Sequence, residues 1–220
     1  MPLATDYASL SQKIADYAHR TDLFSPSAGT SLTDYFLQDA QAKINKDIFD
    51  QNLGNGISLM EAPYGPQVIT NGVTPIPSGY LAPKFFTVTD NGGNLFTLIL
   101  KDPEWLYSNY PLRQAQGLPA YIARDATGFV FGPYPDSAYS IGGTFYQAAP
   151  LLNQSQTTNW MVTSASDTLF AAAMIQAMLF MRDSEGVSLW QGVYQDALQK
   201  LIDQDKAERW GSATMVVDTA

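Results

Sequence analysis

Residues 159–211 carry the clearest pattern in the chain. They read Asn159-Trp160, then Leu169-Phe170-Ala171-Ala172-Ala173-Met174-Ile175-Gln176-Ala177-Met178 on to Arg182, then Leu189-Trp190, Val193-Tyr194, Ala197-Leu198 and Leu201-Ile202. Apolar positions at steps of three and four over this length predict helices, not strands. Ser166 or Asp167 can cap the first helix, and its alanines would let a neighbouring helix come close. Gly186 is expected to end it and Ser188 to cap the second, which runs to about Arg209. Beyond Gly211, residues 212–220 show no helical pattern and contain the apolar, β-prone Met215-Val216-Val217.

The N-terminal end supplies a partner for this helix pair. Thr5 can cap a helix with Tyr7, Leu10, Ile14 and Tyr17 on one face, ending near Arg20. Ser25-Pro26-Ser27-Ala28-Gly29 reads as a loop. Ser31, with Asp34 three residues on, resembles a capping box opening a second helix. Its face is Leu32, Phe36, Ala40, Ile44 and Ile48, widened by Tyr35, and Gly54-Asn55-Gly56 stops it.

Between these ends, residues 57–158 hold most of the prolines and glycines and lose the helical period. Lys84–Thr89 and Leu95–Leu100 flank Asp90-Asn91-Gly92-Gly93-Asn94, and Asn-Gly supplies the positive φ angles of a tight hairpin turn. Asp102-Pro103 predicts a short capped helix. Further strands are expected at 120–124, 128–131 and 138–147, and short strands at this spacing predict an antiparallel sandwich or small barrel. The fold class is therefore α+β: about four helices from both chain ends (1–56 and 159–211) form a core, 57–158 is an inserted antiparallel β domain, and 212–220 is an extended tail.

Composition narrows the function. A net charge of −9 disfavours grip on a phosphate backbone, since the 12 Lys and Arg are scattered. Cysteine is absent, so disulfides, thiolate catalysis and cysteine zinc sites are excluded. The N-terminus lacks a secretory pattern, and the apolar run 169–181 is too short to span a bilayer, so a soluble protein is expected. His19 is the single histidine, which rules out a triad or multi-histidine site within one chain. Its place near a helix C-terminus favours a surface role. Gly54-Asn55-Gly56 lacks the further glycine and lysine of a phosphate loop. The four glutamates, Glu61, Glu104, Glu185 and Glu208, could serve a carboxylate-based cell-wall hydrolase only if two faced one cleft. Asp203 with Asp205, and the Asp90–Asn94 turn, lack the rest of a calcium loop. No catalytic, cofactor or metal site is expected. The aromatics Trp105, Tyr107, Tyr110, Phe129, Phe131, Tyr134 and Tyr139 could stack on sugars or bases, or simply fill a sheet core.

Motifs spread along the chain carry a family resemblance. They are Tyr7-x-x-Leu10 with Ile14-x-x-Tyr17-x-x-Arg20; Tyr121-Ile122; Phe131-Gly132-Pro133-Tyr134-Pro135-Asp136; Phe145-Tyr146; Pro150-Leu151; Thr158-Asn159-Trp160; Asp167, Asp183, Trp190, Tyr194, Ala197-Leu198, Asp205 and Ala207. In these the chain resembles the adaptor, or head-completion, proteins that join head to tail in short-tailed bacteriophages. The resemblance implies a structural virion protein at the head–tail interface, made in the host cytoplasm. It implies a ring, usually of twelve copies, that binds the portal protein, extends the DNA channel and presents a platform to tail nozzle and fibres. DNA would pass through without specific binding, helped by the acidic surface. The family's C-terminal tail tends to reach the portal, which makes Ser212, Met215, Val216 and Val217 candidate portal-binding residues. The competing expectation is a carbohydrate- or receptor-binding tail component.

Overall fold

The computed structural model describes residues 6–20, 23, 31–111 and 115–211. In chain order its elements are α1 (Tyr7–Tyr17), α2 (Leu32–Gln51), a 3-10 turn (Ser58–Met60), β1 (Glu61–Val68), β2 (Val73–Thr74), β3 (Tyr80–Thr89), β4 (Leu95–Leu100), α3 (Pro103–Asn109), β5 (Tyr121–Arg124), β6 (Phe129–Gly132), β7 (Ser140–Gln147), α4 (Trp160–Ser164), α5 (Ser166–Met181) and α6 (Ser184–Gly211). The α+β class holds. Contacts divide the chain into a helical unit, residues 1–59 with 149–220, and a β-rich unit, residues 60–148.

In the helical unit α5 is central. Ten of its sixteen residues, from Thr168 to Met178, are buried on all sides, as a helix surrounded by neighbours must be. It packs on α1, α2, α4 and α6. Four alanines at 171, 172, 173 and 177 are fully buried, and their small side chains permit this crowding. Leu37, Ala40, Ile44 and Ile48 of α2 and Tyr194, Leu198 and Ile202 of α6 complete the core. The buried amide of Gln41 is satisfied at both ends. Its Nε2 donates to the Pro150 carbonyl at 3.0 Å and its Oε1 accepts from the Leu152 N–H at 2.9 Å, fastening the chain after 149 onto α2.

The helix ends correct several expectations. Asp6, not Thr5, caps α1, accepting from the Ser9 N–H at 2.8 Å while Ser9 closes a capping box; Thr5 lies outside the described residues. The Ser31–Asp34 box forms as expected, with the Ser31 N–H donating to Asp34 at 3.1 Å. Gly186 does not end α5. Arg182 takes the left-handed conformation instead, at φ 59°, and Asp183 caps α6 by accepting from the Gly186 N–H at 3.0 Å. Gly186 serves packing: a Cβ there would lie 2.5 Å from Asp183 Oδ2 and 2.8 Å from Met178 Sδ. Ser188 sits inside α6, its hydroxyl donating to the Ser184 carbonyl. Asn159 opens the additional short helix α4, accepting from the Met161 and Val162 N–H groups.

The β-rich unit is one seven-stranded sheet in the order β1-β7-β3-β4-β5-β6-β2. It is mixed, not antiparallel as expected. β4 and β5 run parallel, Ile99 opposite Tyr121 and Leu100 opposite Ile122. The cause is α3, which lies in the connection between them, and parallel neighbours require such a crossover. The sheet also rolls. β1 and β2 stand at opposite ends of the order, about 29 Å apart in a flat sheet. Yet only residues 69–72 join them, and five residue steps reach about 18 Å. The curl is closed inside by Tyr64, whose hydroxyl donates to Pro75 at 2.7 Å and whose ring meets Phe129 at 5.7 Å and Phe86 at 5.6 Å. Each such aromatic pair adds roughly 0.5–1.5 kcal/mol beyond its burial. Leu106 of α3 covers the other side with Ala123 and Val130.

Sequence reading misses β1. Pro63 and Pro66 lack N–H donors, and β1 tolerates them because it pairs with β7 alone. At Gly65 the strand bulges with φ 82°, and a Cβ would lie 2.2 Å from the Ile141 carbonyl oxygen. In the β3–β4 turn, the positive φ falls on Gly93, not Asn91-Gly92. Asp90 organises it, accepting from the Gly92 and Asn94 N–H groups at 2.8 Å each.

Candidate interaction surfaces

Polar side chains on buried helix faces act as internal struts. The Tyr7 hydroxyl donates to Asp34, joining α1 to α2; burial, then the Asp34 carboxylate, raises its pKa. The Tyr194 hydroxyl donates to Asp47 Oδ2 at 2.8 Å, joining α6 to α2. Lys43 pairs with the same carboxylate oxygen at 2.8 Å, and its ammonium lies 4.9 Å from the Tyr194 ring centroid. Burial first, then Asp47, drives the Tyr194 pKa well upward. Asp205 accepts from the Ser58 N–H at 2.7 Å and from the Ser58 hydroxyl, and pairs with Arg209 at 2.8 Å. Arg209 also donates to the Gly56 carbonyl at 3.3 Å, so α6 holds the segment before the sheet.

These struts account for carboxylates that could otherwise suggest chemistry. Asp205 already accepts three donors, two from Ser58 and one from Arg209. Asp203 accepts from Gln199. Among the described residues no group of three or more His, Asp or Glu is placed to hold a metal. Glu61 pairs with Lys84 at 2.6 Å and Glu208 accepts from Gln204. Glu185 and Glu208 sit near opposite ends of α6, about 35 Å apart along the axis. His19 is exposed just past the end of α1. Phe129, Phe131 and Tyr139 are buried in the sheet core, so those rings are not available to stack on sugars or bases. Trp105 packs on Tyr121 at 4.9 Å.

The surface of the helical unit is more informative than its interior. Leu179 and Phe180 at the end of α5, and Leu189 and Val193 on α6, are 43–66% exposed. A groove of about 480 Å³ that includes Val193 runs between the start of α5 and the middle of α6, floored by Phe170, Trp190 and Leu201 and rimmed by Asp167, Asp196 and Lys200. Edge-on contacts of Phe170 with Tyr17 (5.1 Å) and Trp190 (5.3 Å) stiffen this floor. Sequence periodicity does not single out Leu189 and Val193, because a four-residue step of apolar residues reads as core. The predicted site residues Ser212, Met215, Val216 and Val217 lie outside the described residues.

Buried polar struts, a rolled sheet and apolar side chains left bare on long helices characterise this α+β protein. The chain belongs to the SU10 adaptor protein family, which matches residues 5–217. It is thus a phage structural adaptor, a virion component that contacts other virion proteins, in agreement with the resemblance carried by its motifs. A comparison with curated proteins gives no match. Among the described residues no helix is long and apolar enough to cross a membrane.

Proposed function

We propose that the protein assembles as a ring, of twelve copies by analogy with the adaptor family, that joins the portal to the tail nozzle and fibres and extends the DNA channel. The family match over residues 5–217 carries this reading. The bare apolar residues of α5 and α6 support it, since patches of this kind mark contact surfaces. In this reading residues 1–56 and 159–211 form the ring wall, 57–158 is an inserted domain facing outward or tailward, and 212–220 is a tail. Ser212, Met215, Val216 and Val217 dock on the portal by adding a strand or filling a groove. The role is structural and not catalytic. A net charge of −9 per copy keeps the channel from gripping DNA. Purified protein mixed with its cognate portal should give a stoichiometric ring by electron microscopy, and a chain ending at Gly211 should bind it more weakly. Absence of any complex contradicts the reading.

A further inference from the structure

The β-rich unit carries a cleft of about 470 Å³ that the strut network does not use. It opens between the start of β3, the end of β4 and β5, and is lined by Tyr80, Pro83, Leu100, Lys101, Arg124 and Phe129. Its walls are apolar, yet it holds two cations in a chain with an excess of acids. The Arg124 guanidinium lies 5.0 Å from the Tyr80 ring centroid and the Lys101 ammonium 4.8 Å from that of Trp105, and neither forms an ion pair among the described residues. The Asp102 carboxylate also lines the cleft, but it is engaged as the cap of α3, accepting from the Glu104 N–H at 2.8 Å. Burial lifts Tyr80 to about 12, so its hydroxyl stays protonated and adds no negative charge. Stacking on rings also holds both cations in place, which lowers the entropy lost on meeting an anion.

We propose that this cleft docks an acidic peptide segment of another virion protein, one carboxylate meeting Lys101 and Arg124 and a neighbouring apolar side chain entering between Tyr80, Pro83 and Leu100. The inference rests on the adaptor reading only in taking the partner to be a virion protein. Charge selects the occupant: an acidic strand gains two cations, and the apolar lining favours a side chain over a phosphate backbone.

The test titrates the full chain, labelled with nitrogen-15, with the capped peptide Glu-Phe-Asp-Leu. Saturable shifts at millimolar peptide are expected at the amides of residues 80–82, 100–102, 124 and 129. Joint Lys101→Glu and Arg124→Glu substitution should weaken binding at least about tenfold. The Gln-Phe-Asn-Leu peptide should lose a similar factor, and raising salt from about 0.05 to 0.5 M should weaken the acidic peptide alone. Where charge reversal disturbs the fold, Lys101→Gln with Arg124→Gln gives the same comparison on an unaltered spectrum. Equal binding of the neutral peptide, or undiminished binding by the variants, overturns the proposal. So do shifts elsewhere or none, tighter binding of short single-stranded DNA at these amides, or shifts there that depend on protein concentration alone, which would assign the cleft to a second copy.

Discussion

Replacing Tyr194 by Phe isolates the α6–α2 strut. The ring is fully buried and stays in place, while its hydroxyl hydrogen bond to Asp47 at 2.8 Å is removed. A hydrogen bond to a charged group contributes roughly 1.5–3 kcal/mol. Asp47 keeps Lys43 as a partner and is 18% exposed, which places the loss near the lower end, about 1.5 kcal/mol. For a chain of this length that corresponds to a melting shift of about 3–6 °C. Urea unfolding followed by far-ultraviolet dichroism and tryptophan fluorescence measures it. The pH dependence gives a second reading with a fixed sign. Burial and Asp47 raise the Tyr194 pKa in the folded protein, so its contribution is complete below the unfolded tyrosine value near 10 and is lost as pH rises above it. The stability difference between wild type and Tyr194→Phe should therefore hold from pH 6 to about 9.5 and shrink above about 10. Tyr7 and Tyr80, also raised, titrate alike in both proteins and cancel. A variant as stable as wild type at pH 7, or a difference unchanged at about pH 11, refutes the strut.

Other substitutions probe the turns. Gly65→Ala should cost about 2–4 kcal/mol in the same assay, since its Cβ would meet a backbone oxygen at 2.2 Å and a positive φ besides. Arg182→Gly should raise stability by about 0.5 kcal/mol, the relief of left-handed strain exceeding the added chain entropy. Burial acts to raise the Asp125 pKa, but hydrogen bonds from the Thr127 and Tyr107 hydroxyls and the Thr127 and Gly128 N–H groups outweigh it and bring it to about 2. Its contribution is present above about pH 3.9 and lost as pH falls toward 2, so the melting difference between wild type and Asp125→Asn should narrow over that window.

What the sequence discloses and what it conceals divide along physical lines. Local chemistry reads well: the Ser31–Asp34 box, Asp102-Pro103 and the turn organised by Asp90 each involve residues two to four apart. Competing local uses of one residue do not. Gly186 looks like a helix stop, but close approach of Met178 claims it and Arg182 bears the strained angle. β1 hides because prolines veto a strand only where both edges pair. The parallel β4–β5 pairing hides because a helix predicted after β4 leaves open where the next strand returns. The struts were the least visible. Tyr194 and Asp47 are 147 residues apart, as are Ser58 and Asp205, and the one available signal was a polar atom on an otherwise apolar helix face. The bare side chains Leu189 and Val193 carry the same hydrophobic signature as core.

The central claim, a ring adaptor seated on a portal, is tested most directly by the native mass of the portal saturated with this protein. Twelve copies of a 24.1 kDa chain would add about 290 kDa in a single cooperative step, and the chain ending at Gly211 should need higher concentration to reach it. No added mass at saturating concentration, or a graded series of partial occupancies with no closed ring, contradicts the account.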